Sequence, residues 1–394
     1  MGLGFGEALL VLGLLLAVAA ALSGWLHGTV LSISVLSVGA GIVLAVFDVV
    51  EVGPTSTVLL YLVELALILT LFSDGLLVES ELLLKHWGPP ARALVVAMPI
   101  TLVLLALVGK TLLPELGWAE AFLLGAVLSP TDPVVTSAVV ASKRVPEVVR
   151  HTLNIESGLN DGLALPFVLF FLVLSTAEGD AGLEAGKLAG EAVLGAVIGV
   201  VLALVAARAL PRVPGGEMEA KYEGAYALGL GFAAFGLAEV TYGNGLIAAF
   251  VAGLALAAAR HEIPATFGEF SESLSAVFQI ATFFAFGALV VATDWQGSVW
   301  RLLLFIAFAL VVARPVAVLV SFLGVDMARP SKLFIAWFGP KGVASMLFAL
   351  FVLASTAPDR TLIFDAASYV ILASILAHGL TDTVGARWIE RRLG

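Results

Sequence analysis

Thirteen apolar stretches, each close to the ~20 residues needed to cross the hydrocarbon core of a bilayer, occupy most of this 394-residue chain. They lie at 6–24, 29–47, 55–78, 91–113, 118–141, 151–177, 187–208, 223–241, 244–260, 270–293, 299–323, 332–355 and 361–385. A lipid-embedded segment has no water to satisfy its amides and must close its own backbone hydrogen bonds, so runs of this length are α-helices. The chain reads as an all-α polytopic membrane protein, a single membrane domain over 1–394 with no soluble domain hidden within it. Composition agrees: 60% of the residues are hydrophobic and 13% charged, against about half and a quarter in soluble domains. Met1 to Glu7 has neither a basic n-region nor a small-residue cleavage site, so the first stretch reads as a retained helix. With no cysteine, disulfide and thiolate chemistry are excluded.

Orientation follows from where Lys and Arg fall, not from the net charge of −10, and thirteen spans sort them sharply. Fourteen lie on the side of the C-terminus, among them Lys143, Arg144, Arg208, Arg329, Arg391 and Arg392. Four lie opposite: Lys110, Lys187, Arg301 and Arg360. Arg314 and Lys341 fall inside spans. The bias predicts an external N-terminus and a cytoplasmic C-terminus in a cell (inner) membrane. The chain ends soon after Arg392, so no cytoplasmic nucleotide-binding domain is expected within it.

Two spans are interrupted. Ser129-Pro-Thr-Asp-Pro133 breaks the fifth, and Gly339-Pro-Lys-Gly342 breaks the twelfth, each with a charge at the break. Proline removes a backbone donor, and in lipid the freed groups need a partner. The breaks stand seven segments apart, so the two spans cross in opposite directions. This fits inverted repeats of segments 1–6 (1–177) and 8–13 (223–394), joined by a linker helix at 187–208, with a substrate site between the half-helices. Asp132 and Lys341 would each neutralise one pair of half-helix ends, since N-termini favour anions and C-termini cations.

The sixth segment carries Asn154-Ile-Glu-Ser-Gly-Leu-Asn-Asp161. Ionisable groups at this depth are costly unless paired or facing water, which points to an ion or proton site. Asn154, Ser157 and Asp161 share one helical face, and Glu156 and Asn160 form the adjacent stripe. Carboxylate, hydroxyl, amide and carbonyl oxygens suit a hard monovalent cation such as Na⁺. No His/Cys metal constellation exists, and no cofactor is expected. A carboxyl at Asp161 can take a proton or a cation but not both, and if the empty charged site crosses poorly, this competition couples the two gradients. Glu156 needs a partner, and Arg314 is the only arginine inside a span.

Thr131-Asp132-Pro133, Glu156-Ser157 with Asn160-Asp161, Ala313-Arg314-Pro315 and Phe338-Gly-Pro-Lys-Gly342 together resemble the monovalent cation:proton antiporter superfamily, and within it the NhaP/NHE-type sodium–proton exchangers. The resemblance covers nearly the whole chain and implies the NhaA/NhaP-like fold. It also implies that Asp161 carries cation or proton, and that Thr131, Asp132 and Ser157 coordinate the ion while Asn160 supports the site. Glu156 and Arg314 are implied to form a buried pair, and the protein to be a homodimer in which a core moves as an elevator. The Asn-Asp pair resembles the electroneutral subclass, implying one cation, Na⁺ or Li⁺, per proton; K⁺ is the alternative. The departure is Lys341, where many relatives have an arginine. Lysine neutralises helix ends but offers no planar fork of donors.

Other intramembrane acids stay open. Glu64 and Asp74, in segment three, project about 80° apart; Asp74 reads either as lining a cation funnel or as capping a helix end. Glu239 and Glu7 read as interfacial. His27, His86, His151, His261 and His378 fall near expected segment ends. Two other function classes remain. An intramembrane aspartyl protease would use Asp132 and Asp161 as a dyad and cleave a tethered helix without cation dependence. A channel would pass current without proton coupling.

Overall fold

The computed structural model describes residues 5–26, 33–50, 57–76, 87–132, 145–176, 181–209, 219–259, 265–291, 293 and 295–393. Among them every regular element is helical. α1 is Phe5–Leu26, α2 Ile33–Val46, α3 Thr57–Leu76, α4 Gly88–Leu112 and α5 Trp118–Val127. α6 is Glu147–Thr176, α7 Ala181–Ala209, α8 Ala220–Val240, α9 Gly245–Ala259 and α10 Ala265–Val291. α11 is Val299–Ser321, α12 Arg329–Trp337, α13 Val343–Ala354 and α14 Arg360–Leu393. A helix lies in each stretch expected from the sequence. Among the described residues, five helices are long and apolar enough to cross a membrane: α4, α6, most of α7, α11 and Arg360–Asp382 of α14. α6 starts four residues before its expected limit, and α14 runs eight residues past its own.

Packing divides the helices into two groups. α7, α8, α9, α3, α10 and α2 form one, through α7 on α9, α9 on α3 and α2 on α10. α4, α5, α6, α11, α12, α13 and α14 form the other, through α4 on α5, α5 on α6, α11 on α12 and α13 on α14. α3 touches both, meeting α9 and α10 on one side and α6 and α13 on the other. Its fit against α9 depends on two glycines: a Cβ at Gly75 would overlap the Phe250 carbonyl, and one at Gly253 the Phe72 carbonyl. Small residues bring helix backbones together in lipid, where no hydrophobic force drives them. That contact fixes the neighbour of Gly75, Asp74.

α6 separates its faces as its sequence dictates. Leu159 is buried against other helices, whereas Leu163, Phe167 and Phe170 are more than a third exposed and face outward. The polar stripe from Glu156 to Asp161 is buried within the protein.

α4 and α11 share a local feature. Each contains a wide π-helical turn, at Ala93–Ala97 and Ala309–Ala313, and both turns have the sequence Ala-Leu-Val-Val-Ala. Each is followed one residue later by a proline, Pro99 or Pro315. A proline has no N–H to give to the preceding turn, and a wider turn accommodates the missing bond. Where α4 continues with Met98, α11 continues with Arg314.

Candidate functional site

The break in the twelfth span is Phe338–Gly342, between α12 and α13. In the fifth, α5 ends at Val127 and the chain is irregular through Asp132; Pro133 and the expected continuation to 141 lie outside the described residues. The two breaks cross and serve each other. Asp132 N donates to Pro340 O at 2.9 Å, and Asp132 Oδ2 accepts from Val343 N, the first amide of α13, at 2.8 Å. Lys341 Nζ reaches the Pro130 and Ser129 carbonyls, just beyond α5, at 3.2 and 3.4 Å. A carboxylate thus meets a helix N-terminus and an ammonium meets a helix C-terminal end, the arrangement the half-helix dipoles favour.

The remaining C-terminal end, that of α12, faces Arg314. Its Nη2 donates to Ile335 O at 3.3 Å and Phe338 O at 3.5 Å. The same guanidinium grips Glu156 bidentately, Nη1 to Oε1 at 2.6 Å and Nη2 to Oε2 at 3.0 Å. Both partners are buried, so the pair compensates charge where water cannot. Two glycines make room. A Cβ at Gly339 would overlap the Arg314 guanidinium, and one at Gly342 the Asp132 carboxylate.

α6 supplies the rest. Asn160 Nδ2 donates to Thr131 Oγ1 at 2.7 Å and to Thr131 O at 3.1 Å, tying α6 to the break after α5. Ser157 lies one turn before Asp161, and both are buried. Asp74 on α3 lies beside Asp161, near enough for the two carboxyls to share a proton, and Asp132 is close enough for its charge to act on both. Three buried oxygens here have no hydrogen-bond partner among the described residues: Asp161 Oδ1, Asn160 Oδ1 and Asp74 Oδ2. Buried polar atoms without partners are uncommon and call for a ligand or another explanation. Among the described residues, no three His, Cys, Asp or Glu side chains are gathered so as to hold a metal ion. The donor set is a mixture of carboxylate, amide, hydroxyl and carbonyl oxygens, which suits a weakly held monovalent cation.

All eight residues expected at the site, Thr131, Asp132, Glu156, Ser157, Asn160, Asp161, Arg314 and Lys341, are buried, between 2 and 7% exposed. The structure adds Asp74, which sequence spacing left between two readings, because only packing places α3 against α6. Glu64 is not part of the cluster; it is exposed and within electrostatic reach of Glu239. Glu239 Oε1 accepts from Gly245 N at 3.0 Å and so caps α9. His378 corrects the expectation that it falls near a segment end: it is buried in the interior of α14. Its ring contacts Trp337 and Phe338, at the α12 end of the break in the twelfth span. The side chains of His27, His86 and His261 lie outside those described.

The family model for "Sodium/hydrogen exchanger, transmembrane" matches residues 11–385. A relative named K(+)/H(+) antiporter NhaP from Alkalimonas amylolytica is 25% identical over 83% of this chain and 57% of its own length. A Na(+)/H(+) antiporter 2 from Zygosaccharomyces rouxii is 34% identical over 34% of this chain and 17% of its own. The chain therefore spans about half the length, or less, of these curated relatives. The solved sodium proton antiporter MjNhaP1 from Methanocaldococcus jannaschii matches with a TM-score of 0.78 at 21% identity, covering 98% of this chain and 99% of that one. At that identity the likeness establishes the fold.

Proposed function

The chain belongs to the sodium/hydrogen exchanger transmembrane family, and on that premise we propose that it is a secondary active transporter that exchanges Na⁺ or Li⁺ for H⁺ at Asp161. The observation that carries the proposal is the Asp161–Asp74 carboxyl pair, with a free buried oxygen on each. A monovalent cation between the two carboxyls neutralises the same charge as a shared proton, so the two ligands exclude one another. Thr131, Ser157 and Asn160 offer oxygens on the same side of α6, and Asp132 fixes the break beside them. Glu156–Arg314 and Lys341 keep the half-helix ends neutral whichever ligand is bound. The carrier crosses loaded and not empty, which couples the gradients without any further device.

In this proposal the chain has thirteen spans, with its N-terminus external and its C-terminus cytoplasmic in the cell membrane. Residues 1–177 and 223–394 are inverted copies, and 187–208 links them. The shared π turns of α4 and α11, seven spans apart like the two breaks, support that symmetry. The protein works as a homodimer among membrane lipids, its core moving as an elevator. K⁺ is the second reading, favoured by the name of the Alkalimonas relative. Protease and channel chemistry are set aside, since the matched family and relatives are exchangers and antiporters.

The test is a proteoliposome assay with an internal pH dye, adding NaCl, LiCl and KCl in turn. Cation-driven proton movement is expected from the native chain and not from Asp161→Asn, which remains folded but can neither exchange a proton nor offer a charge. Full exchange by Asp161→Asn would overturn the assignment.

A further inference from the structure

His378 belongs to none of the charge-bearing motifs, yet it touches the α12 end of the break between α12 and α13, and Ser374, one turn earlier on α14, touches the other side. Its Nε2 lies 2.9 Å from the Trp337 carbonyl, at the end of α12. A carbonyl only accepts, so Nε2 carries a proton and donates it. On the other side of the ring, Nδ1 lies 3.2 Å from Ser374 Oγ and 2.7 Å from Ser374 O, one turn earlier on α14. Ser374 Oγ in turn accepts from Lys341 N at 2.9 Å. Ser374 O likewise only accepts, so a proton on Nδ1 is donated to it, and Ser374 Oγ and His378 Nε2, one turn apart on α14, bridge Lys341 N–H and Trp337 O across the break. Trp337 also stacks on the imidazole, with centroids 5.2 Å apart and planes 28° from parallel. Its indole N–H donates to Thr381 Oγ1 at 3.0 Å, tying it to α14 a second time.

A helix broken inside a membrane leaves amides and carbonyls without intrahelical partners, and each must be met by protein. Trp337 O and Lys341 N are such groups on opposite sides of the gap, and one histidine–serine pair serves both. What that pair holds is the backbone on which the ion site depends. Lys341 must aim its ammonium at Ser129 and Pro130, and Val343, two residues on, must present its amide to Asp132.

We infer that His378 is a positioning residue for the ion site: through Ser374 and Trp337 it sets the separation of the two half-helices and so keeps Lys341 and Asp132 placed around Asp161. The inference rests on the exchange reading above and assigns the pair a role in cation affinity, not merely in stability.

The experiment measures the cation concentration for half-maximal exchange and the maximal rate in proteoliposomes, for the native chain, His378→Leu, His378→Gln and Ser374→Ala. Thermal stability with and without cation gives an independent measure of binding. Leu removes both ring nitrogens and is expected to raise the half-saturating concentration about five- to tenfold, the size expected for losing one or two buried hydrogen bonds. The maximal rate should change much less. Gln keeps a donor within reach of Trp337 O and should recover most of the affinity. Ser374→Ala should weaken binding in the native background and add little to His378→Leu, because both break one bridge across the gap. Native half-saturation in both His378→Leu and Ser374→Ala would overturn the inference. So would a loss of stability and maximal rate with half-saturation unchanged. If His378→Leu does not fold, His378→Gln and Ser374→Ala decide by the same criterion. A native protein that is stabilised by cation but moves no protons would count against the exchange reading, and the inference would then be judged on the binding measurement alone.

Discussion

Asp132 and Lys341 each serve the broken span to which the other belongs. Asp132 Oδ2 accepts the first amide of α13 at 2.8 Å, and Lys341 Nζ lies 3.2 Å from the Pro130 carbonyl. The two breaks are therefore one structure, held by reciprocal charge across 209 positions of sequence. Anything that moves one half-helix moves the charge that stabilises another. This gives the residues around Asp161 separable roles, and the separations can be measured.

Asp132 and Asp74 should part company on mutation. Asp132→Ala removes the cap on α13 and is expected to lower stability by about 1–2 kcal/mol, the usual cost of a lost helix cap, along with cation affinity. Asp74→Asn leaves the helix ends intact and removes only the carboxyl facing Asp161. It should raise the half-saturating cation concentration about tenfold or more, as expected for a lost charged hydrogen bond, with a melting temperature near native. Half-saturation measured in proteoliposomes, beside melting of the purified protein, checks both. Equal effects of the two variants on melting would contradict the division.

The Glu156–Arg314 pair should behave as a unit. Removing either partner leaves a buried charge without compensation, a loss of about 3–5 kcal/mol. The double neutral variant should recover part of that loss. A double-mutant cycle on thermal stability reports the coupling directly, and additive losses would show that the pair observed at 2.6 and 3.0 Å contributes nothing as a pair.

Gly339 and Gly342 are steric necessities at the site, and Gly236 is not. Gly339→Ala and Gly342→Ala place a methyl group into Arg314 and Asp132 respectively, and each is expected to lose about 1–3 kcal/mol through forced displacement. Gly236→Ala, in α8, meets nothing within 4 Å and should gain up to about 1 kcal/mol of helix propensity. Thermal melting of the three variants is the check, and the signs, not only the sizes, are expected to differ.

Exchange should be electroneutral. With Asn160 uncharged and Glu156–Arg314 internally compensated, the only change at the site is one proton for one monovalent cation. The membrane potential, worth about 2.3 kcal/mol per charge per 100 mV, then has no hold on the balance point. Clamping the potential at several values should leave unchanged the ion gradient that balances a fixed pH gradient. A clear voltage dependence would mean that a second carboxyl titrates, and Asp74, in contact with Asp161, is the group to replace first.

Much of the site was legible because polar residues in an apolar span are conspicuous. Glu156, Asn160, Asp161 and Arg314 stand out at a depth where each needs a reason to exist, and prolines and glycines at 130–133 and 339–342 mark where helices cannot continue. The repeated Ala-Leu-Val-Val-Ala turns were present in the letters as well. They gain meaning only once both are seen to form the same wide turn ahead of a proline.

Membrane residence, helical class, the positions of the two breaks and the residues that bear charge at them follow from the sequence by itself, because lipid leaves a buried backbone or a buried charge so few alternatives. Which helices touch does not follow, since apolar faces of similar composition can pack in many pairings. Asp74 became part of the site only because Gly75 and Gly253 let α3 and α9 approach, and α3 also meets α6. His378 and Ser374 became its support only because α14 runs past the break and satisfies backbone groups that α12 and α13 leave open. Those partners are chosen by tertiary packing, where an orphaned amide or carbonyl is met by whichever polar side chain the neighbouring helix brings within reach.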